Sequence, residues 1–239
     1  MRRLASAFLA IGLLAAAPAA AQTQAVAPAA DWTRTVATTP EGGFRMGNPD
    51  APLKLVEFLS LTCSHCAAFS AEAMPTLVRD HIRSGRVSVE YRNYILNHYD
   101  LAAAVLSRCA APANYFALTT DLLAQQSVWA ARADSLTPAQ RMEIEVRPTP
   151  QTVTRTAELV GLKSIAAAHG ITPAEATRCL ASADGLAQVM AMRDSAERLG
   201  VSGTPTFMLN GEMVGPANWA MIQPLLAAPA GAGAGERGR

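Results

Sequence analysis

"LKLVEFLSLTCSHCAAF", residues 53–69, starts as a strand and ends as a helix, and two cysteines stand at the join. Residues 53–60 form a short, mostly apolar, β-favouring run of the kind buried on both faces of a sheet. Beyond Cys66, the residues Ala67, Ala68, Phe69, Ala71, Met74, Leu77, Val78 and Ile82 recur at helical spacing until Gly85 stops the run. Residues 86–93, RVSVEYRN, then alternate Val87, Val89 and Tyr91 in strand fashion. Strand, helix and strand make one βαβ unit, with Cys63 and Cys66 at the helix N-terminus.

Such a pair can be a structural staple, a metal clamp or a reactive centre, and the compartment weighs on the choice. Residues 1–21 read as a signal peptide: Arg2 and Arg3 precede an apolar stretch too short to span a bilayer, and Ala19 and Ala21 fit a cleavage site before Gln22. No lipidation cysteine lies nearby. The expected mature chain of about 218 residues is exported, periplasmic and without a membrane span. Losing Arg2 and Arg3 leaves eighteen basic residues against nineteen acidic ones, so nothing in the charge points to nucleic acid.

The mature length allows one domain, or one domain carrying a large insertion. Residues 22–40 are rich in Ala, Thr and Pro and read as a flexible leader, and residues 228–239, rich in Gly and Ala, as a disordered tail. Between them, 41–98 holds the βαβ half. Residues 99–199 are almost wholly helical in pattern, with runs at 101–110, 112–125, 152–169, 173–182 and 185–199; the proline-containing stretch 132–150 is the least regular. Strand character returns in TPTFMLNGEMVG, 204–215, where Asn210 and Gly211 fit the centre of a hairpin turn, and an amphipathic stretch at 217–227 completes the half spanning 200–227. The expected class is α/β: a βαβ half and a ββα half separated by a large helical insertion.

A C-x-x-C beside a βαβ pattern signals a redox site of thioredoxin type. At the helix start, free backbone N–H groups and the positive end of the helix dipole stabilise a Cys63 thiolate. Cys66, one turn on, faces the same side and can close the disulfide, and an imidazolium at His65 would favour the thiolate further. A low-pKa thiolate leaves readily, which makes the disulfide an oxidant.

At this point "GNPDAPLKLVEFLSLTCSHC" and the downstream "GVSGTPTFMLNG" resemble the DsbA-type periplasmic thiol–disulfide oxidoreductases, in the branch whose thioredoxin fold carries a helical insertion. The resemblance covers most of residues 43–227. It implies that Cys63 is the attacking and attacked cysteine and Cys66 its resolving partner. It maps the family's Thr/Val-Pro segment onto Thr204 and Pro205, with Pro205 in the cis form and Thr204 offering its backbone to an extended client, as in strand addition. Glu57, six residues before Cys63, corresponds to a carboxylate that handles the proton of the buried Cys66 thiol. Ser64 stands where relatives often have Pro, and with His65 it would tune the potential. Cys109 and Cys179, in "SRCA" and "TRCL", match relatives with a second, structural disulfide; two separate buried thiols are the alternative. The resemblance also implies reduced or unfolded exported proteins as clients, reoxidation by a quinone-linked membrane partner of the DsbB or vitamin K epoxide reductase type, a monomer, and no separable cofactor.

Two other functions fit the same residues. A disulfide isomerase or reductase would be held in the dithiol form, though the leader is too short to be a dimerisation domain. A periplasmic protein could instead hold copper or zinc on the CSHC thiolates. Against a metal site, Cys109, Cys179, His81, His98 and His169 are scattered along the chain, far from the spacing of a second ligand pair. Glu57 could also face solvent at a strand edge, His65 could be a surface histidine, and Thr204–Pro205 an ordinary turn.

Overall fold

A computed structural model describes residues 30–227. The signal peptide expected at 1–21, the first part of the leader and the tail expected at 228–239 lie outside the described residues. The strands are β1 (Val36–Thr38), β2 (Phe44–Met46), β3 (Leu53–Leu59), β4 (Val87–Asn93), β5 (Thr206–Leu209) and β6 (Glu212–Pro216). They form one sheet in the order β1-β2-β4-β3-β5-β6, in which only β3 and β4 run parallel.

The parallel pair is joined by α1 (Ser64–Thr76), which runs on through a π-helical turn at Leu77–Ile82 and ends before Gly85. Gly85 has φ +78°, and a Cβ there would come within 2.8 Å of the Trp32 ring. That contact corrects the leader expectation. Residues 31–38 are structured: Asp31 caps a short turn at Trp32–Arg34 and pairs with Arg83 at 3.2 Å, and β1 then pairs with β2. Composition suggested a flexible segment because three-residue strands are too short to show an alternation.

The hairpin of β5 and β6 turns at Asn210 and Gly211, whose φ values of 52° and 86° are the pair that a tight two-residue turn requires. The Asn210 carboxamide oxygen accepts the Lys54 N–H at 2.8 Å, and its own N–H donates to the Lys54 carbonyl at 2.9 Å, which locks the hairpin to β3. β3 is thus paired on both edges and buried on both faces. Leu55 and Leu59 pack with Phe69, Ala73, Leu77, Val89 and Phe207, while Val56 and Phe58 pack on the other face with Tyr94, Ala196 and Val201.

Between the halves lie α2 (His98–Ser107), α3 (Tyr115–Ala124), α4 (Gln126–Asp134), α5 (Pro138–Ile144), α6 (Pro150–Leu159), α7 (Leu162–Ala168), α8 (Pro173–Leu180) and α9 (Ala183–Arg198); α10 (Trp219–Ala227) closes the described chain. α2 is buried from Asp100 to Ser107 and packs against α6, α7, α8 and α9. The irregular stretch 132–150 contains the end of α4 and all of α5. Two of its three prolines start helices: Thr137–Pro138, Thr149–Pro150 and, further on, Thr172–Pro173 each place a threonine at the N-cap and a proline at the first helical position. The single helix expected at 152–169 is two, because Gly161 takes φ +75° and a side chain there would collide with the Arg132 guanidinium.

Candidate active site

Cys63 is the N-cap of α1, with extended backbone angles of −86° and 118°. Its carbonyl accepts the N–H groups of Cys66 and Ala67, each at 3.1 Å, so the first turn starts at the reactive residue itself. No side chain caps this helix, which leaves its first N–H groups for the sulfur. Cys63 is half-buried and Cys66 fully buried, and both are free thiols.

Their acidities are driven apart. The Cys63 thiol is lowered to about 4, first by a hydrogen bond from the Cys66 thiol, then by the Thr204 hydroxyl and the backbone N–H groups of Cys66 and His65, with partial burial opposing. Burial pushes Cys66 far up, reinforced by its bond to Cys63 and by the charges of Glu57 and Cys63. At neutral pH one sulfur is thereby a half-buried thiolate and the other a buried thiol.

Glu57 lies in the middle of β3 on the α1 face, 1% exposed, with Oε2 unpartnered. Burial, with the Cys63 charge added, raises its carboxyl well above the usual range and so favours the protonated form beside the thiolate. It is a buried acid rather than the solvent-facing edge residue of the alternative reading. Ser64 and His65 are exposed, and His65 meets the Cys63 sulfur through its backbone N–H.

The Thr204–Pro205 peptide bond is cis. The Cys63 thiol donates to the Thr204 carbonyl at 3.2 Å, and the Thr204 hydroxyl, buried and without a hydrogen-bond partner, lies near enough to the sulfur to favour its thiolate. Thr206 holds the segment by donating to the Gly203 carbonyl at 2.8 Å. Cys109 and Cys179 form a disulfide between the ends of α2 and α8, with Cα atoms 5.8 Å apart.

Sequence reasoning missed a set of side chains from the helical insertion that hold residues 60–63. Asp100, fully buried, accepts the N–H groups of Leu61 at 2.8 Å and Leu96 at 2.9 Å; burial lifts its carboxyl to about 6 against these bonds. Gln126, at the start of α4, donates from one amide nitrogen to the carbonyls of Leu61 at 2.8 Å and Cys63 at 3.0 Å. Asn97 caps α2 by accepting from the Asp100 N–H and donates to the Thr62 hydroxyl at 2.9 Å. The pattern Asn97-x-x-Asp100 before an apolar run is readable as a helix start, but its reach to Leu61 is not. Among the described residues, no group of three or more His, Cys, Asp or Glu side chains is placed to hold a metal ion.

Residues 39–228 match the family model described as Thioredoxin. A Rickettsia bellii protein, named provisionally as a protein-disulfide oxidoreductase, is 29% identical over 174 residues, covering 72% of this chain and 58% of that protein. The chain therefore spans less than two thirds of this relative. Among solved structures, the protein-disulfide isomerase of Novosphingobium aromaticivorans is 30% identical with a TM-score of 0.73, over 78% of this chain and 96% of that one. The alpha-DsbA1 of Wolbachia pipientis, at 20% identity and a TM-score of 0.63 over 80% and 92% of the two chains, shares the fold.

Proposed function

The chain belongs to the Thioredoxin family and has its fold with a helical insertion, and from that premise we propose that it is an exported thiol–disulfide oxidoreductase that hands a Cys63–Cys66 disulfide to reduced client proteins. The observation that carries this reading is the divergence of the two thiols, Cys63 held near 4 and Cys66 far above its ordinary value. A stable Cys63 thiolate stabilises the dithiol form, which makes the disulfide form oxidising.

The reaction follows from the positions of the groups. A client thiolate attacks Cys63 Sγ, the only one of the two sulfurs open to solvent, and the electron pair of the broken bond leaves on Cys66 Sγ. Glu57, protonated and buried beside the pair, supplies the proton that the Cys66 thiolate needs. Thr204 presents its backbone beside Cys63, where an extended client can pair with it. A second client thiolate then attacks the client sulfur of the mixed disulfide, and Cys63 leaves as a stabilised thiolate. Reoxidation falls to a quinone-linked membrane partner of the DsbB or vitamin K epoxide reductase type, in the periplasm. Among the described residues, no helix is long and apolar enough to cross a membrane.

The test is transfer and trapping. Oxidised protein mixed with a reduced two-cysteine peptide should yield one peptide disulfide per protein. Cys66→Ala should accumulate mixed disulfides with clients and Cys63→Ala none, and equal trapping by both would remove the assignment of roles. A second reading, an isomerase kept in the dithiol form, is favoured by the name of the Novosphingobium relative. Thiol labelling of protein taken directly from cells separates the two: mostly disulfide supports the oxidase, mostly dithiol the isomerase.

A further inference from the structure

Residues 60–63 carry the chain from the end of β3 into the first turn of α1, and the bonds that hold them have two origins. Some are local: the Cys63 N–H donates to the Ser60 carbonyl at 3.3 Å, and the Thr62 N–H to the Ser60 hydroxyl at 3.1 Å. Others come from the helical insertion. Asp100 accepts the Leu61 N–H, and Asn97 donates to the Thr62 hydroxyl. Gln126 goes one residue further. Its single amide nitrogen serves two carbonyls, Leu61 at 2.8 Å and Cys63 at 3.0 Å, so that among the described residues it is the insertion side chain bonded to the reactive residue itself.

A braced corner delivers that amide. Gln125 ends α3 and starts α4, with backbone angles of −94° and 9°. Its carbonyl accepts the N–H groups of Val128 at 2.9 Å and Trp129 at 3.2 Å. The Trp129 indole, 1% exposed, donates across the corner to the Leu122 carbonyl at 2.9 Å, which fixes the two helices against each other. α3 also packs against α1. The corner is therefore anchored on the helix whose start Gln126 holds.

The Cys63 carbonyl is the point where extended backbone becomes helix. Besides the Gln126 amide it accepts the N–H groups of Cys66 and Ala67, each at 3.1 Å. The sulfur hangs on the same Cα. A peptide plane free to tilt there would carry Sγ off the helix start and away from the Thr204 carbonyl, which now lies 3.2 Å from it. The carbonyl oxygen is also partly negative and close to the sulfur, so a donor bonded to it eases the build-up of negative charge next to it.

We propose that Gln126 is a positioning residue for the nucleophile, through which the helical insertion holds the Cys63 sulfur at the start of α1 and so favours its thiolate. The inference rests on the reading of Cys63 as the attacking and leaving sulfur. Gln126 takes no part in the exchange itself, since its amide bonds to the backbone and not to either sulfur. Its effect lies in the difference between the dithiol and disulfide forms, because only the dithiol form carries the charge.

Gln126→Met tests this, because it keeps the length and the apolar stem of a half-buried side chain and removes both donors. Thiolate absorbance of the reduced protein is titrated against pH, the equilibrium with glutathione is measured, and both redox forms are melted. The Cys63 midpoint, near 4 in the wild type, should rise by about half a unit to one unit, the size that loss of one ordinary hydrogen bond gives. The glutathione equilibrium should move with it, by about threefold to tenfold toward disulfide, because the two report one free energy. The melting temperature of the dithiol form should fall by more than that of the disulfide form. A glutamine with a merely structural role would lower both melting temperatures equally and leave the midpoint and the equilibrium where they were. That result, or a shift in only one of the two, would overturn the positioning role and leave the oxidoreductase standing. A wild-type protein that exchanges disulfides with neither glutathione nor dithiothreitol would overturn the function itself, and the role of Gln126 with it.

Discussion

The Cys63 sulfur stands 3.2 Å from the Thr204 carbonyl oxygen, a contact that closes 141 residues of chain. In the thiol state the S–H group satisfies that carbonyl. In the thiolate state the donor is gone, the carbonyl is free for a client N–H, and the nearby Thr204 hydroxyl favours the charged sulfur. A disulfide at Cys63 likewise lacks the S–H donor, so the carbonyl is open to a client in every state of Cys63 except the neutral thiol.

The acidity of Cys63 sets how the reduced form responds to pH. Its folded value near 4 lies below the ordinary thiol value of 9.0, so the thiolate's contribution to stability is full above 9.0 and vanishes as pH falls through 4. Cys66 stays protonated across this window in both states and adds nothing. The melting temperature of the reduced protein minus that of the oxidised protein should widen as pH rises from 4 toward 9. A difference that stays constant over that range would show that the thiolate is not stabilised in the fold. Thiolate absorbance at 240 nm, roughly where thiolates absorb and thiols do not, should titrate with a midpoint near 4.

His65 supports the sulfur through its backbone, which makes two substitutions distinguishable. His65→Ala keeps the N–H group, and the Cys63 midpoint should stay close to wild type. His65→Pro deletes that N–H at the second helical position, where proline is tolerated, and should raise the midpoint by about one unit, making the disulfide about 30 mV less oxidising. A larger rise in the alanine variant than in the proline variant would return the role to the imidazole.

Glu57 should cost stability as pH rises. Its folded carboxyl lies well above 4.5, so the unfolded chain releases the proton first and the contribution present below 4.5 is lost progressively above it, by about 1.4 kcal/mol per pH unit until the folded value is reached. Glu57→Gln should remove that slope. In urea titrations of the disulfide forms, wild type minus variant should become more unfavourable from pH 5 to 7 (about two decades of proton activity). A flat difference would mean the carboxyl has solvent access in the fold.

The Cys109–Cys179 bridge closes a separation of 70 residues, which in the chain-entropy model is worth about 4 kcal/mol less any strain. Replacing both cysteines by serine should lower the melting temperature by about 10 °C for a domain of this size. The Cys63–Cys66 exchange equilibrium should be unaffected, because among the described residues no hydrogen bond joins the bridge to either cysteine. A shift in that equilibrium would tie the bridge to the site.

The elements legible in the chain were those with a strong local signal: the buried run of β3, the alternation of β4, the stop at Gly85, the Asn210–Gly211 turn and the two middle residues between Cys63 and Cys66. What stayed hidden depended on contacts between distant residues. β1 and β2 are too short for a period and exist because β4 offers an edge and Trp32 a cover over Gly85. Asp100 and Gln126 look like ordinary helix residues until α2 and α4 bring them to Leu61. Pro138 and Pro150 made 132–150 the least regular stretch, and their position one residue after a capping threonine shows that they open helices.

The sheet order also imposes a sequence of events in time. β5, which pairs with β3 and brings Thr204 to Cys63, is coded about 140 residues after the cysteines. A chain growing at about 5–20 residues per second exposes CSHC on the order of ten seconds before Thr204 exists to meet it. Throughout that interval β3 has an open edge and Cys63 lacks both the carbonyl and the hydroxyl that surround it in the finished protein. The surroundings of Cys63 are thus completed only when β5 is made, and a newborn chain carries this thiol in a half-built and less acidic setting until Thr204 reaches it.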